Sequence, residues 1–184
     1  MALQSPNASP SADEIEALIA QCHPEVQAMV AYWRGKAAGR RMPARGDIDP
    51  SELKPFLPRI SLIDVVSDER RFVYRLVGTE EVALRGYDPT GKPLGEGFFG
   101  PNRELAFKHY GYVVEHRAPF CYRGDFEVED GLIENEDVVF LPLSEDDDRV
   151  NMILLFYYDY SAHHRVEASS VLLRTQMRKT DDKK

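Results

Sequence analysis

The side chains with chemistry to offer in this chain are two cysteines, five histidines and thirty-one acids, and their spacing decides what that chemistry could be. Cys22 and Cys121 lie far apart, with the spacing of neither a disulfide framework nor a zinc site. Cys121 stands in an apolar, strand-like run, where a small buried residue is the simplest reading. No G-x-S-x-G is present, and no Cys–His or paired-acid arrangement marks a nucleophile and its base. The acids gather in EVEDGLIENEDVV and SEDDD, whose spacing fits no EF-hand calcium loop. They read as solvated hairpin turns that keep sheet edges soluble, so no metal is assigned.

Two further stretches resemble binding motifs. Residues 86–93, GYDPTGKP, come close to the phosphate loop G-x-x-x-x-G-K-[ST]. That loop needs a hydroxyl after the lysine for Mg²⁺ and a helix N-terminus whose free N–H groups meet phosphate. Pro93 takes the place of the hydroxyl and turn residues follow, so a tight turn is the reading. Arg-Gly-Asp occurs twice, beginning at Arg45 and at Arg123. Adhesion would require export and an exposed loop tip. One copy lies in a proline-bracketed connector, the other at a strand end, and the N-terminus has no basic region followed by an apolar one.

The bulk of the chain narrows its partners. A formal net charge of -8 argues against nucleic acid, which needs clustered Lys and Arg to meet phosphates. No apolar run approaches the ~20 residues that span a bilayer. The expectation is a soluble protein of a reducing compartment, the cytoplasm.

The elements that must position these residues come next. Residues 1–10 read as disordered, and 161–184 as a charged tail that contains His163 and His164. SADE forms a capping box, with Ser11 at the cap and Glu14 bonding back. In 11–39, Ile15, Leu18, Ile19 and Cys22 share one face, as do Val26, Met29, Val30 and Trp33. Pro24 makes the segment two helices or one kinked helix.

In RMPARGDIDPSELKPFLPRI, the residues before Pro43 and Pro50 are steered away from α geometry. Asp49 suits an N-cap, Pro50 the first helical position, and Glu52 completes a D-x-x-E cap. A short helix or helical turn follows, with Leu53, Phe56 and Leu57 as core anchors. The stretch is a connector that delivers the chain into a strand. Strands are predicted over 60–66, 71–78, 119–128, 136–144 and 150–160, with a short helix after Gly78 and a longer one over 101–117. This order gives an α+β domain over 40–160, an antiparallel sheet with helices on one face. In the last strand Met152, Leu154 and Phe156 face one way and Ile153, Leu155 and Tyr157 the other. Apolar on both faces means covered on both. The middle helices cover one, and the amphipathic N-terminal helices the other, from the same chain or a partner.

The order of strands and helices, with a helix in front, resembles a PAS domain. The residues YW, RMPARGDIDPSELKPFLPRISLIDV, FVYRLVGT and GYDPTGKPL resemble a family of small bacterial PAS-like proteins over roughly residues 30 to 160. That resemblance implies a five-stranded sensory or signalling fold with a pocket between sheet and helices, and names no ligand or cofactor. A histidine on the long helix is one way this fold holds haem. Taking Tyr110 as reference, the apolar arc lies within about 60° of it, and His109 and His116 fall roughly 100–120° away, on a flank or interface. The flavin-photoreceptor version needs a cysteine on the first middle helix, and GTEEVALRGYD has none.

A pocket could be lined by Tyr74 and Leu76 on one strand, Phe120 and Tyr122 on another, Phe140 on a third, and Phe107, Tyr110 and Val114 on the helix. Aromatics with a few hydroxyls suit a planar or acyl small molecule; equally, these residues could fill the core. Arg103, in the first turn of the helix, is the cation that could meet an anionic ligand. The leading expectation is a non-catalytic sensory or interaction module, binding a small ligand or a signalling protein. A homodimer would form through Val26, Met29, Val30 and Trp33. The rival is a small isomerase or hydratase on a cone-shaped α+β fold, which needs a carboxylate or histidine of perturbed pKa in the cavity. An adaptor with a filled core is the third possibility.

Overall fold

A computed structural model of the chain describes residues 10–100, 102–127 and 133–160. The expected disordered N-terminus up to residue 9 and the charged tail from 161, with His163 and His164, lie outside the described residues. So does the centre of the EVEDGLIENED turn.

The N-terminal segment is two helices. Helix α1 (Ala12–Ile19) starts at the capping box, with Glu14 N–H donating to Ser11 Oγ and Ser11 N–H to Glu14 Oε2 at 2.8 Å. Helix α2 (Pro24–Ala37) begins at Pro24, whose missing N–H costs nothing at a first helical position. The connector follows. Its Arg45–Asp47 is one 3₁₀ turn, closed by Ala44 N–H donating to Asp47 Oδ2 at 2.7 Å and by an Arg40–Asp47 ion pair. This Arg-Gly-Asp is therefore a structural cap. At 50–56 the chain makes successive turns rather than a capped helix. Asp49 accepts from Ser51 N–H at 2.8 Å, while Glu52 pairs with Lys36 of α2 at 2.7 Å instead of closing a cap. Leu53 is buried and Phe56 packs edge-on against Phe156, but Leu57, expected as an anchor, is exposed.

Five antiparallel strands form one sheet: β1 (Ile60–Val65), β2 (Phe72–Leu76), β3 (Phe120–Glu127), β4 (Ile133–Leu143) and β5 (Met152–Asp159), in the order β2-β1-β5-β4-β3. Three helices connect β2 to β3: α3 (Thr79–Arg85), the single turn α4 (Leu94–Gly97) and α5 (Arg103–His116). GYDPTGKP is a turn laid along the free edge of β2. Gly91 N–H donates to Tyr74 O at 2.7 Å and Tyr74 N–H to Lys92 O at 3.0 Å, so it shields an edge that would otherwise pair with another chain.

Gly78 explains its place in YRLVGT. A Cβ there would overlap the Pro58 carbonyl, so the chain leaving β2 crosses the end of the connector at backbone distance. Strand alternation then divides the sheet into two faces. Tyr74, Tyr122, Val138, Phe140, Leu155 and Tyr157 look toward α3–α5. Leu154, Phe156 and Tyr158 look toward the N-terminal segment, with Cys121, Asp137 and Val139 beside them. Val26, Met29, Val30 and Trp33 are all buried on that second face, and Trp33 Nε1–H donates to Pro142 O at 2.7 Å. The stripe expected to meet a second chain is thus covered by the chain's own sheet. An α helix long and apolar enough to cross a membrane is absent among the described residues.

Candidate functional site

Between the sheet and α3–α5 lies a cavity of about 170 Å³. Its floor is Tyr74 of β2, Tyr122 of β3, Val138 and Phe140 of β4, and Leu155 and Tyr157 of β5. Its roof is Leu84 and Arg85 of α3, Phe98 and Phe99 before α5, and Leu105, Ala106, His109 and Tyr110 of α5. Asn102 caps α5 by accepting from Leu105 N–H at 2.9 Å, which fixes where the helix starts and hence which residues reach the cavity.

One end of the cavity is polar and internally neutralised. Ser61 Oγ, on β1, donates to Glu81 Oε2 at 2.6 Å, and Glu81 pairs with Arg85 one helical turn on. Arg85 also donates to the Gly97 carbonyl at 2.6 Å and sits over the Tyr74 ring, 5.2 Å from its centroid. Gly97 has to be glycine, since a Cβ would press into the Tyr74 ring. Burial disfavours the Arg85 charge, but Glu81 and Tyr74 outweigh it and hold its pKa above the usual value. This corner offers a compensated pair, not a free cation.

Glu136 of β4, itself partnered, is a further carboxylate in the lining, and the histidine and tyrosines of the wall are uncharged. Burial pulls His109 from 6.5 down to about 4, so the imidazole is neutral at physiological pH. Its ring stacks on Phe120 with centroids 4.6 Å apart and lies 5.1 Å from Tyr122. Burial also raises the Tyr110 and Tyr157 phenols well above their ordinary value, so both keep their protons. Among the described residues, His109 and the Tyr110 and Tyr157 hydroxyls have no hydrogen-bond partner, and all three line the cavity.

Of the expected lining residues, Tyr74, Tyr110, Tyr122 and Phe140 meet here. Phe120 supports the wall from behind His109, and Phe107 packs on Phe72 with centroids 5.9 Å apart. Val114 packs against the core one turn beyond Tyr110, outside the cavity wall. Leu76 is 45% exposed at the end of β2 and does not reach the cavity. Arg103 is exposed and donates to the Gly95 carbonyl at 3.0 Å, so it braces α4 against α5 instead of facing a ligand. His109, read as a flank residue, is in the wall, because Phe120 and Tyr122 of β3 pack against that side of α5. Arg85, Glu81, Phe98 and Phe99 belong to the site without having been expected. The Glu81–Arg85 spacing on a short amphipathic helix was the available signal. Among the described residues no cluster of three or more metal-ligating side chains occurs.

The family described as PAS domain matches residues 21–157. The chain is a PAS domain. Similar solved structures include the PAS domain of Bordetella pertussis BvgS, 15% identical over 65% of this chain and 89% of that one, TM-score 0.48. The PAS domain of the fruit-fly ELK potassium channel is 14% identical over 60% of this chain and 93% of that one, TM-score 0.45. A light-oxygen-voltage domain studied with a flavin analogue is 13% identical over 70% of this chain and 93% of that one, TM-score 0.46. No curated protein matches the sequence. The five-stranded antiparallel sheet with α3–α5 on one face and α1–α2 on the other is the PAS arrangement expected from the sequence.

Proposed function

We propose that this PAS domain is a non-catalytic sensory module whose cavity takes a small, uncharged molecule, about one ring in size. The observation that carries the reading is the set of unpartnered His109, Tyr110 and Tyr157 groups around an aromatic-lined space. These groups face the open space of the cavity, where a ligand bearing an acceptor and a donor would satisfy them. The volume, near 170 Å³, compares with the ~150 Å³ engineered cavity that holds benzene. Charge on the ligand is disfavoured, because Glu81 already neutralises Arg85, His109 stays unprotonated and the Glu136 carboxylate of the lining already has a partner.

The output side of the sheet is the N-terminal segment. His23 stacks on Tyr158 with centroids 3.4 Å apart, and Tyr158 lies beside the cavity-lining Tyr157 on β5. Occupancy that shifts β5 would favour one packing of α1 and α2, which a signalling protein could read. The isomerase or hydratase reading asks for a carboxylate or histidine of perturbed pKa in the cavity, and His109 is such a group. A pKa of about 4 makes it a weak base at neutral pH, Glu81 is held by Ser61 and Arg85, and Glu136 is also partnered, so the binding reading is preferred.

The test is native mass spectrometry of freshly purified protein, repeated after denaturation, beside the same measurement on Ala106→Leu. A mass excess lost on denaturation and missing from Ala106→Leu is the expected result. For an empty protein, NMR titration with neutral one-ring amides and phenols should move the Tyr110 and Tyr157 resonances. Failure of every such molecule to do so would overturn the reading.

A further inference from the structure

The fold brings together the two cysteines that the sequence holds far apart. Cys22 lies in the short connector between α1 and α2, and Cys121 on β3 faces it, with their sulfurs 3.0 Å apart. Both are reduced and buried, Cys22 at 4% exposure and Cys121 at 1%. We propose that Cys22 and Cys121 are a dithiol site for hydrogen peroxide, and that their intramolecular disulfide fastens the α1–α2 connector to β3.

The hydrogen bonds give the two sulfurs different roles. Cys22 Sγ is 3.3 Å from the Leu18 carbonyl, to which only its S–H can donate. The Cys121 S–H is then the donor in the contact between the sulfurs, and Cys22 Sγ accepts it. That bond lowers the Cys22 pKa against the cost of burial; the Asp137 carboxylate opposes it and the Arg123 guanidinium assists. The same bond, together with burial, raises Cys121. Cys22 is therefore the thiolate that attacks, and Cys121 keeps its proton until the second step.

In the first step the Cys22 sulfur attacks one peroxide oxygen. An S–O bond forms, the O–O bond breaks, and the departing hydroxide takes a proton to leave as water. In the second, the Cys121 sulfur attacks Cys22, the S–S bond forms, and the sulfenic oxygen leaves as a second water with the Cys121 proton. Two thiols lose two electrons and the peroxide gains them. The sulfurs need to close by only about 1 Å to reach disulfide length, near 2.05 Å. Burial also sets the class of oxidant. Hydrogen peroxide is close to water in size, whereas glutathione disulfide cannot reach a sulfur this enclosed while the connector stays docked.

Because the site is on the sheet face opposite the cavity, the proposal holds whether or not the cavity binds a ligand. The experiment treats the reduced full-length chain with hydrogen peroxide, then denatures and alkylates it, and reads the intact mass. The expected product has lost two hydrogens, takes up no alkylating agent and remains a single chain on a non-reducing gel; dithiothreitol restores two alkylations. Glutathione disulfide should give at least tenfold less of this product in the same time. Cys22→Ser and Cys121→Ser should each abolish it. The oxidised wild-type chain should melt at a higher temperature than the reduced one, and Cys22→Ser should show no such rise. Two alkylations after peroxide, sulfinic acid on one cysteine, disulfide between chains, equal reaction with glutathione disulfide, or a melting point that falls on oxidation would each overturn the proposal.

Discussion

The two faces of the sheet are built from the same strands and solve burial in opposite ways. On the face toward α1 and α2, Trp33 fills the space over β4 and its indole N–H is bonded to Pro142 O. The buried Asp137 carboxylate on that face accepts three bonds at 2.7 Å, from the His23 N–H, Arg123 Nε and the Tyr160 hydroxyl. Among the described residues, Arg59 Nη1 on that face is the one fully buried polar side-chain atom without a partner. On the face toward α3–α5, aromatics of comparable size leave a cavity, and His109, Tyr110 and Tyr157 face it with no hydrogen-bond partner among the described residues. A chain able to pack one face densely does not leave the other open for want of apolar residues. The open face keeps polar groups where a filled core would place carbon, which is the pattern of a binding site.

The largest effect that would break this contrast is Trp33→Ala. Removing a fully packed indole, and leaving the Pro142 carbonyl without its donor, should cost about 3–5 kcal/mol in urea unfolding. The molecular size by light scattering should not change, because the stripe is covered by the chain's own sheet. A loss below about 1 kcal/mol would mean that the N-terminal face is as loosely filled as the other.

Next in size is the pH response of the cavity face. His109 has a folded pKa of about 4 against 6.5 when unperturbed. Between those values the unfolded chain binds more protons at this site, so stability increases with pH. The contribution is complete above pH 6.5, falls as pH drops toward 4, and is gone below that. Burial is incomplete, so a span of about 1–3 kcal/mol is expected rather than the full shift. The difference in urea stability between wild type and His109→Phe, followed from pH 7 to 4, isolates this group from the carboxylates. A flat difference would place His109 in solvent.

How far these faces were legible follows from what period 2 and period 3.6 patterns encode. The capping box at Ser11, the break at Pro24 and the double-sided burial of Ile153 and Leu154 were readable, because each depends on residues near in sequence. Tyr74, Tyr110, Tyr122 and Phe140 were readable as large residues on inward positions. His109 was not, since a helical wheel gives a direction but not which strand's rings lie against that flank. Arg103 misled for a related reason: its place in the first turn says nothing of the Gly95 carbonyl that the α4 turn brings to it. The Cys22–Cys121 and Asp137–His23 contacts depend on which face α1 and α2 cover in register, which no local pattern carries.

The smallest effect is the sharpest test of the comparison. Tyr110 is buried to 4% exposure, its ring edge-on to Phe140 at 5.1 Å between centroids, yet its hydroxyl has no partner among the described residues. On the N-terminal face a buried polar atom removed by mutation strands its partners. Here Tyr110→Phe strands none and deletes a group whose desolvation is not repaid, so stability should change by less than about 0.5 kcal/mol or rise slightly. The ring packing is preserved, because phenylalanine occupies the same volume without the oxygen. A loss of about 1 kcal/mol or more in urea unfolding would show that the hydroxyl is already hydrogen-bonded inside the protein. The cavity would then be missing one of the three groups that distinguish it from the filled face. If Tyr110→Phe leaves stability unchanged but weakens a cavity ligand by roughly tenfold, the hydroxyl is reserved for that ligand, since tenfold corresponds to ~1.4 kcal/mol, the worth of a single hydrogen bond.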